Sequence, residues 1–265
     1  MLLAGFIDAH PNLLVITGAG CSAPSGIPTY RDARGQWQRT TPIQHHEFLT
    51  SEQSRRRYWA RSFAGWPAVA DARPNGAHKA LAALERTGVI RLLVTQNVDG
   101  LHQKAGHEAV VDLHGRLDTV ICLDCGALSP RAEFQQLLAR DNPFLTPRAL
   151  SLTPDGDAVV PEENIARIRV PACPRCDGIL KPNVVFYGGT VNKTLVAKIY
   201  DALDAADALL VVGSSLMVFS AFRFARRAAE SGKPIAIVNR GVTRADELAT
   251  LKLSGDCETV LAALS

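Results

Sequence analysis

Short, largely apolar runs that each stop in small or amide residues are the feature that most constrains this chain. They are Leu13–Thr17, Val89–Thr95, Leu209–Val212 and Pro234–Val238. The turns at their ends read TGAG, TQNVD, GSS and a single Asn, and the run AVVDLHG, 109–115, ends the same way. Runs of strand length without polar alternation suit strands buried on both faces. Helical stretches lie between them. AHKALAALERTG, 77–88, and FSAFRFARRAAESG, 219–232, close on Gly88 and Gly232. Those glycines suit C-terminal caps, and each is followed at once by a strand. The expected fold class is α/β: a doubly wound, Rossmann-like parallel sheet. Such sheets bind ligands outside the carboxyl ends of their strands, where the polar turns gather here.

The middle of the chain breaks this rhythm. From about Arg116 to Lys181 the apolar periodicity weakens, and a polar, proline-bearing stretch, DNPFLTPRALSLTPDGDAVVPEEN, separates two Cys-x-x-Cys pairs. A chain of 265 residues, 47% apolar, accommodates one large domain and one small one. The expected division is a large nucleotide-binding domain over 1–115 and 182–265, with an inserted small zinc-binding module over 116–181. The chain is expected to rejoin the large sheet at KPNVVFYGG.

Cys122, Cys125, Cys173 and Cys176 supply four thiolates at turn spacing, which predicts a tetrahedral zinc site made of four cysteines. Gly126 and Gly178, after the second cysteine of each pair, suit the tight turns. Four thiolates close the coordination shell, so the metal is expected to hold the module together and do no chemistry. The other two cysteines, Cys21 and Cys257, read as buried packing residues. Paired cysteines in a chain of this size point to metal in a reducing compartment rather than to a secreted disulfide scaffold.

A formal charge of +3 gives no nucleic-acid footprint. The densest basic run, RRRYWAR at 55–61, reads as a solvated helix face or as a site for an acidic group. Leu2–Ile7 is too short for the apolar core of a secretory signal, and no run approaches a membrane span. A cytoplasmic, monomeric protein without membrane or nucleic-acid partners is expected.

Gly18, Ala19 and Gly20 let backbone N–H groups approach a pyrophosphate. With Ala23 they fit G-x-G-x-x-A, a weak match by itself. Gly213, Ser214 and Ser215 repeat the arrangement with hydroxyl donors, and Asn239 suits ribose hydroxyls. Pro24, Gly26 and Pro28, however, interrupt the helix that the fingerprint asks for.

GAGCSAPSGIPTYR, TQNVDGLH, LHG, the double Cys-x-x-Cys, KPNVVFYG, GSSL and IVN follow one another as in the sirtuins, the NAD-dependent protein-lysine deacylases, and the chain resembles that family. The resemblance extends from about Leu13 to Leu264, and RYWARSFAGWP, CLDCG, LTPDGD and VVGSSLMVFS look most like the class II branch. It implies that NAD is a consumed co-substrate, which accounts for the broken helix: the segment after the glycines covers the nicotinamide and releases it. Ala19, Ile27, Asn97 and Asp99 would line the nicotinamide pocket. Arg31 would lie near the phosphates, Tyr30 would shield the reacting ribose carbon, and Gln96 would contact the ribose. Ser22 and Cys257 would also be nucleotide contacts.

His114 would be the catalytic base, assisted by Asn97 and Asp99; an imidazole has a pKa close to working pH. The acyl oxygen of the substrate would attack the ribose as nicotinamide leaves, and the products would be lysine, nicotinamide and O-acyl-ADP-ribose. The acyl-lysine protein would lie as an added strand between Val184–Gly188 and Met217–Ser220. Where many deacetylases carry F-G-E, this chain has Phe186-Tyr187-Gly188-Gly189 and lacks the acid. Tyr58 and Arg61, one helical turn apart, resemble the pair that reads acidic acyl groups in some sirtuins. The alternative activity is mono-ADP-ribosyl transfer to a protein, or NAD glycohydrolysis, on the same pocket.

Overall fold

A computed structural model of the chain describes residues 2–32, 34, 36, 42–146, 152–153 and 157–264. Residues 147–151 and 154–156 of the proline-bearing stretch lie outside that set. In chain order the elements of the first half are α1 (Leu2–Ala9), β1 (Leu13–Thr17), α2 (Ala19–Ser22), α3 (His45–Thr50), α4 (Glu52–Asp71), α5 (Gly76–Arg86), β2 (Ile90–Thr95), α6 (Leu101–Lys104) and β3 (Val110–Asp112). The middle holds β4 (Gly115–Cys122), β5 (Leu128–Pro130), α7 (Arg131–Asp141), β6 (Leu152–Thr153), β7 (Asp157–Ala158), α8 (Glu162–Arg167) and β8 (Leu180–Val184). The chain finishes with α9 (Lys193–Ala205), β9 (Ala208–Val212), α10 (Phe219–Glu230), β10 (Ile235–Val238), β11 (Leu251–Leu253) and α11 (Cys257–Ala262).

The apolar runs become one parallel sheet of six strands, ordered β11-β10-β9-β1-β2-β3. All five residues of β1 are buried, as are all five of β9. The polypeptide builds outward from β1 through β2 to β3, then crosses to the other side of β1 for β9. The strand order therefore reverses between β1 and β9, and a crevice opens there at the carboxyl edge. One core cluster covers each face: Leu14, Ile16, Val211 and Phe224 on one side, Leu13, Val15, Leu81 and Leu210 on the other. Helices α5 and α10 end as their glycines suggest, with Gly88 at φ +81° and Gly232 at φ +68°.

A second, three-stranded antiparallel sheet has the order β5-β4-β8. Here one expectation is corrected. Lys181–Val184 does not rejoin the parallel sheet; it pairs with β4 in the small one, and the large fold resumes at α9. Pairing with β4 buries Leu180 beside Val120 and Cys122 in a third cluster with Trp59 and Phe134. That cluster also takes Phe48, Tyr58 and Phe63 from α3 and α4, so the small sheet is covered by helices from before the cysteine region. Trp59 is fully buried in this cluster and donates its indole N–H to the Leu180 carbonyl at 3.2 Å.

Among the described residues no helix is long and apolar enough to cross a membrane.

Candidate active site

The carboxyl edge of the large sheet and the adjoining edge of the small one enclose a cavity of about 930 Å³. Its floor is the contact between the turns after β1 and β9. A Cβ on Gly18 would stand 2.8 Å from the Ser214 Cβ, and one on Gly20 would stand 2.9 Å from the Gly213 Cα. Gly213 itself adopts φ +64° against the backbone of Gly20 and Cys21. The glycines are thus required by backbone-to-backbone approach of two turns. Two of their amides serve that contact: Gly18 N–H donates to the Val212 carbonyl at 3.1 Å, and Gly20 N–H to the Gly213 carbonyl at 2.8 Å. Donation of those two amides to a pyrophosphate is therefore not the role seen here. Ala19 lines the cavity between them.

Beyond the turn, α2 runs for four residues and gives way to a short 3-10 turn, Ala23–Ser25, which ends at Gly26 with φ +85°. Pro24 and Gly26 break the helix as expected. Ala19, Ser22, Ile27, Tyr30, Gln96, Asn97 and Asp99 close around a side cavity of about 40 Å³. A hydrogen-bond chain fixes its polar wall. The Asn97 amide donates to Ser22 Oγ at 2.9 Å and to the Gly18 carbonyl at 3.0 Å, while Ser22 donates to Asp99 at 2.7 Å. The other Asp99 oxygen accepts from the Leu101 amide at 2.9 Å. Burial raises the Asp99 pKa above the usual carboxylate value, against the pull of those donors.

Ser214 accepts from Gln96 Nε2 at 2.5 Å and from the Leu216 amide at 3.1 Å, which leaves its own hydroxyl proton to donate. Ser215, Arg31, Asn239 and Cys257 also line the large cavity. Cys257 is buried, and desolvation pushes its thiol up to about 12, so it contributes a neutral wall. Tyr30 stands edge-on to Tyr187, with ring centres 6.4 Å apart.

His114 sits in the turn from β3 to β4. Its Nδ1 lies 3.0 Å from the Gln96 carbonyl oxygen and its Nε2 lies 2.8 Å from Ser220 Oγ. A carbonyl can only accept, so Nδ1 carries the proton and Nε2 of the neutral ring presents its lone pair to the cavity side. Burial lowers the pKa below 6.5, and the Gln96 carbonyl opposes that shift. Gly115, next in sequence, is at φ +80°, and a Cβ there would lie 3.0 Å from the Val184 Cα. The Val185 amide donates to the His114 carbonyl at 2.7 Å, tying the two segments together.

Both expected peptide rails, Val184–Gly188 and Met217–Ser220, line the cavity. Tyr58 reaches its wall; Arg61 does not, and its Nε donates to the Ala158 carbonyl at 3.1 Å. The sequence reading missed Ser220 as a partner of His114. No motif marks it, because the contact joins residues 106 positions apart. Arg223 and Asp256 on the same wall were likewise unforeseen.

The Sγ atoms of Cys122, Cys125, Cys173 and Cys176 lie within 4.8 Å of one another. Each pair sits in a turn closed by main-chain bonds, Gly126 N–H to the Cys122 carbonyl and Asp177 N–H to the Cys173 carbonyl. The left-handed residues are Gly126 and Asp177, whereas Gly178 is needed for space: a Cβ there would meet Cys122 Sγ at 2.8 Å. Backbone donors, that of Cys125 foremost, pull the Cys122 thiol down to about 7. Four convergent thiols fit a structural zinc. Cys21, His78 and His102 form a second close group, fully buried beneath the glycine turn. There Nδ1 of His78 faces the Asn75 amide and Nε2 of His102 bonds Thr17 at 2.9 Å, so the group reads as polar core.

A parallel sheet with a crevice at its switch point, a half-buried histidine over that crevice and a four-cysteine lobe beside it define a nucleotide-using enzyme. The Sir2 family model matches residues 18–220, and the chain belongs to that family, the sirtuins. It is 54% identical over 262 residues to "NAD-dependent protein deacetylase 2" of Bradyrhizobium diazoefficiens, covering 99% of this chain and 96% of that protein. It is 48% identical to human "NAD-dependent protein lipoamidase sirtuin-4, mitochondrial", covering 98% of this chain and 83% of that one. A solved structure of Sir2 with a p53 peptide and NAD+ superposes with a TM-score of 0.78 at 27% identity, covering 99% of this chain and 95% of the other.

Proposed function

We infer that this chain is an NAD-dependent protein-lysine deacylase. The observation that carries the reading is His114: half-buried, its Nδ1 held by the Gln96 carbonyl, its Nε2 at the wall of the cavity. NAD, when bound, would supply a ribose carbon at which the acyl oxygen displaces nicotinamide, and ribose hydroxyls that carry the acyl group away. His114 accepts the proton that one hydroxyl must lose. Asn97, Asp99, Ala19 and Ile27 hold the leaving carboxamide in the small side cavity. Ser214, Ser215, Arg31 and Asn239 hold the rest of the dinucleotide, while Gln96 and Tyr30 border the ribose. The peptide lies between the two rails, with its acyl-lysine directed toward His114.

The wall around Tyr58, Ile43, Leu117 and Phe186 is apolar or aromatic, and Arg61 stands outside it. This supports neutral acyl groups such as acetyl over acidic ones. The four-cysteine lobe, 116–181 extended by the rest of β8 to Val184, would hold zinc as a structural element between the two segments of the nucleotide-binding domain. The protein acts as a cytoplasmic monomer in this reading, and its macromolecular partners are acyl-lysine proteins.

The test is incubation with NAD and a panel of acyl-lysine peptides, with products read by mass spectrometry. Equimolar nicotinamide, deacylated peptide and O-acyl-ADP-ribose are expected, and His114→Ala should cut formation of the deacylated peptide and of O-acyl-ADP-ribose by about 10²–10⁴-fold. ADP-ribosylated protein, or free ADP-ribose alone, would replace this reading with the transferase or glycohydrolase alternative.

A further inference from the structure

The imidazole of His114 has two hydrogen-bond partners, and both are neutral: the Gln96 carbonyl at Nδ1 and the Ser220 hydroxyl at Nε2. Charged and titratable groups stand on the neighbouring elements. Asp99 follows β2, Asp112 ends β3, Arg116 is the second residue of β4, Arg223 lies on α10, and Arg31 and Lys193 also line the cavity. Asp99 is held by Ser22 and the Leu101 amide, Asp112 by Gln103, and Arg116 by Asp118. None of them bonds or ion-pairs with the His114 ring among the described residues. The usual carboxylate partner of a catalytic histidine is therefore replaced by an oxygen pair without charge.

A hydroxyl differs from a carbonyl in that it can reverse. Toward the neutral ring, Ser220 must donate its proton to the Nε2 lone pair. Once Nε2 has taken up a proton, the same oxygen can rotate its hydrogen away and accept. A hydrogen bond to a charged ring is stronger than one to a neutral ring, so the hydroxyl favours the protonated state. The placement of Ser220 gives it that freedom. It is the second residue of α10, next to the end of the strand-following turn, and its carbon chain is short enough to stay in place while the O–H turns.

We propose that Ser220 is a positioning residue for the base: it fixes the Nε2 lone pair of His114 in the resting enzyme and then accepts from the imidazolium that forms when the base is protonated. This rests on the reading of His114 as the base. It adds the group that keeps a half-buried histidine basic enough to act where desolvation works against its charge.

The test is titration of the His114 imidazole by NMR in the free, histidine-labelled protein, alongside the pH dependence of kcat/KM for an acetyl-lysine peptide. Ser220→Ala is expected to lower the His114 pKa by roughly half to one pH unit, the difference between a neutral and a charge-assisted hydrogen bond. The acid limb of kcat/KM should move by the same amount while its plateau falls. Ser220→Thr, which keeps the hydroxyl, should restore both. Should the alanine variant not fold, Ser220→Cys, with a weak acceptor of similar volume, reads the same shift. A lowered plateau with an unmoved pKa would mean that Ser220 only packs, and an upward shift would mean that it serves the neutral ring; either overturns the proposal. The NMR arm does not depend on turnover. If His114→Ala retains full deacylation, the catalytic reading fails while the effect of Ser220 on the ring is still measured.

Discussion

His114 shows how much a single side chain owes to its surroundings. Burial depresses its pKa below 6.5, so the base form persists at more acidic pH than a free histidine would allow. In its proposed role as base, His114 acts in the neutral form, which fixes the sign. The acid limb of kcat/KM should fall below pH 6.5, and a limb centred above that value would contradict the buried geometry. His114→Ala should cost about 10²–10⁴-fold in turnover, the usual range for a general base. Gly213 offers a second residue-scale check. Its φ of +64° and its contact with the Gly20–Cys21 backbone leave no room for a methyl group. Gly213→Ala should therefore separate the two turns and weaken NAD binding, measured by calorimetry, more than it lowers the melting temperature.

At the scale of elements, what could be read from the chain followed from how local the cause was. β1 carries its own signal, five buried apolar-run residues in succession, and its ends coincide with the expected run. Helices α5 and α10 announce their ends through Gly88 and Gly232. The Cys-x-x-Cys pairs foretell their own convergence. β8 was misplaced for the opposite reason. Lys181–Val184 looks like any short strand, and its partner is β4, about 60 positions earlier, chosen through burial of Leu180 against Val120 and Trp59. The role of α3 and α4 as a cover for the small sheet escaped for the same reason, since α4 reads locally as a basic helix. Trp59 carries that packing. Trp59→Ala should cost about 3–5 kcal/mol by urea unfolding, since it empties the third cluster and removes the indole bond to Leu180. A loss below about 1 kcal/mol would show that the cluster does not hold the lobe.

Over the whole molecule, stability should respond to two reagents. Strong chelation of a zinc-loaded preparation should melt the four-cysteine lobe before the parallel sheet, seen as a separate early transition in a thermal scan; a single unchanged transition would argue against a structural metal. Acid should act elsewhere. His78, His102 and His107 are buried together, with pKa values lowered mainly by desolvation, that of His78 to about 4. Their folded values lie below the unfolded 6.5. The stability they confer as neutral rings is therefore complete above pH 6.5 and is lost as pH falls through the folded values. Melting temperature should drop between pH 6.5 and 4, and His78→Gln should flatten that slope.

The bond from the Val185 amide to the His114 carbonyl, with Gly115 pressed on Val184, joins a peptide rail to the histidine turn at the seam between the two sheets. The rail and the histidine turn are therefore held at one spacing by the main chain itself. A substrate seated on that rail should keep one registry with the imidazole, because a single main-chain bond fixes both.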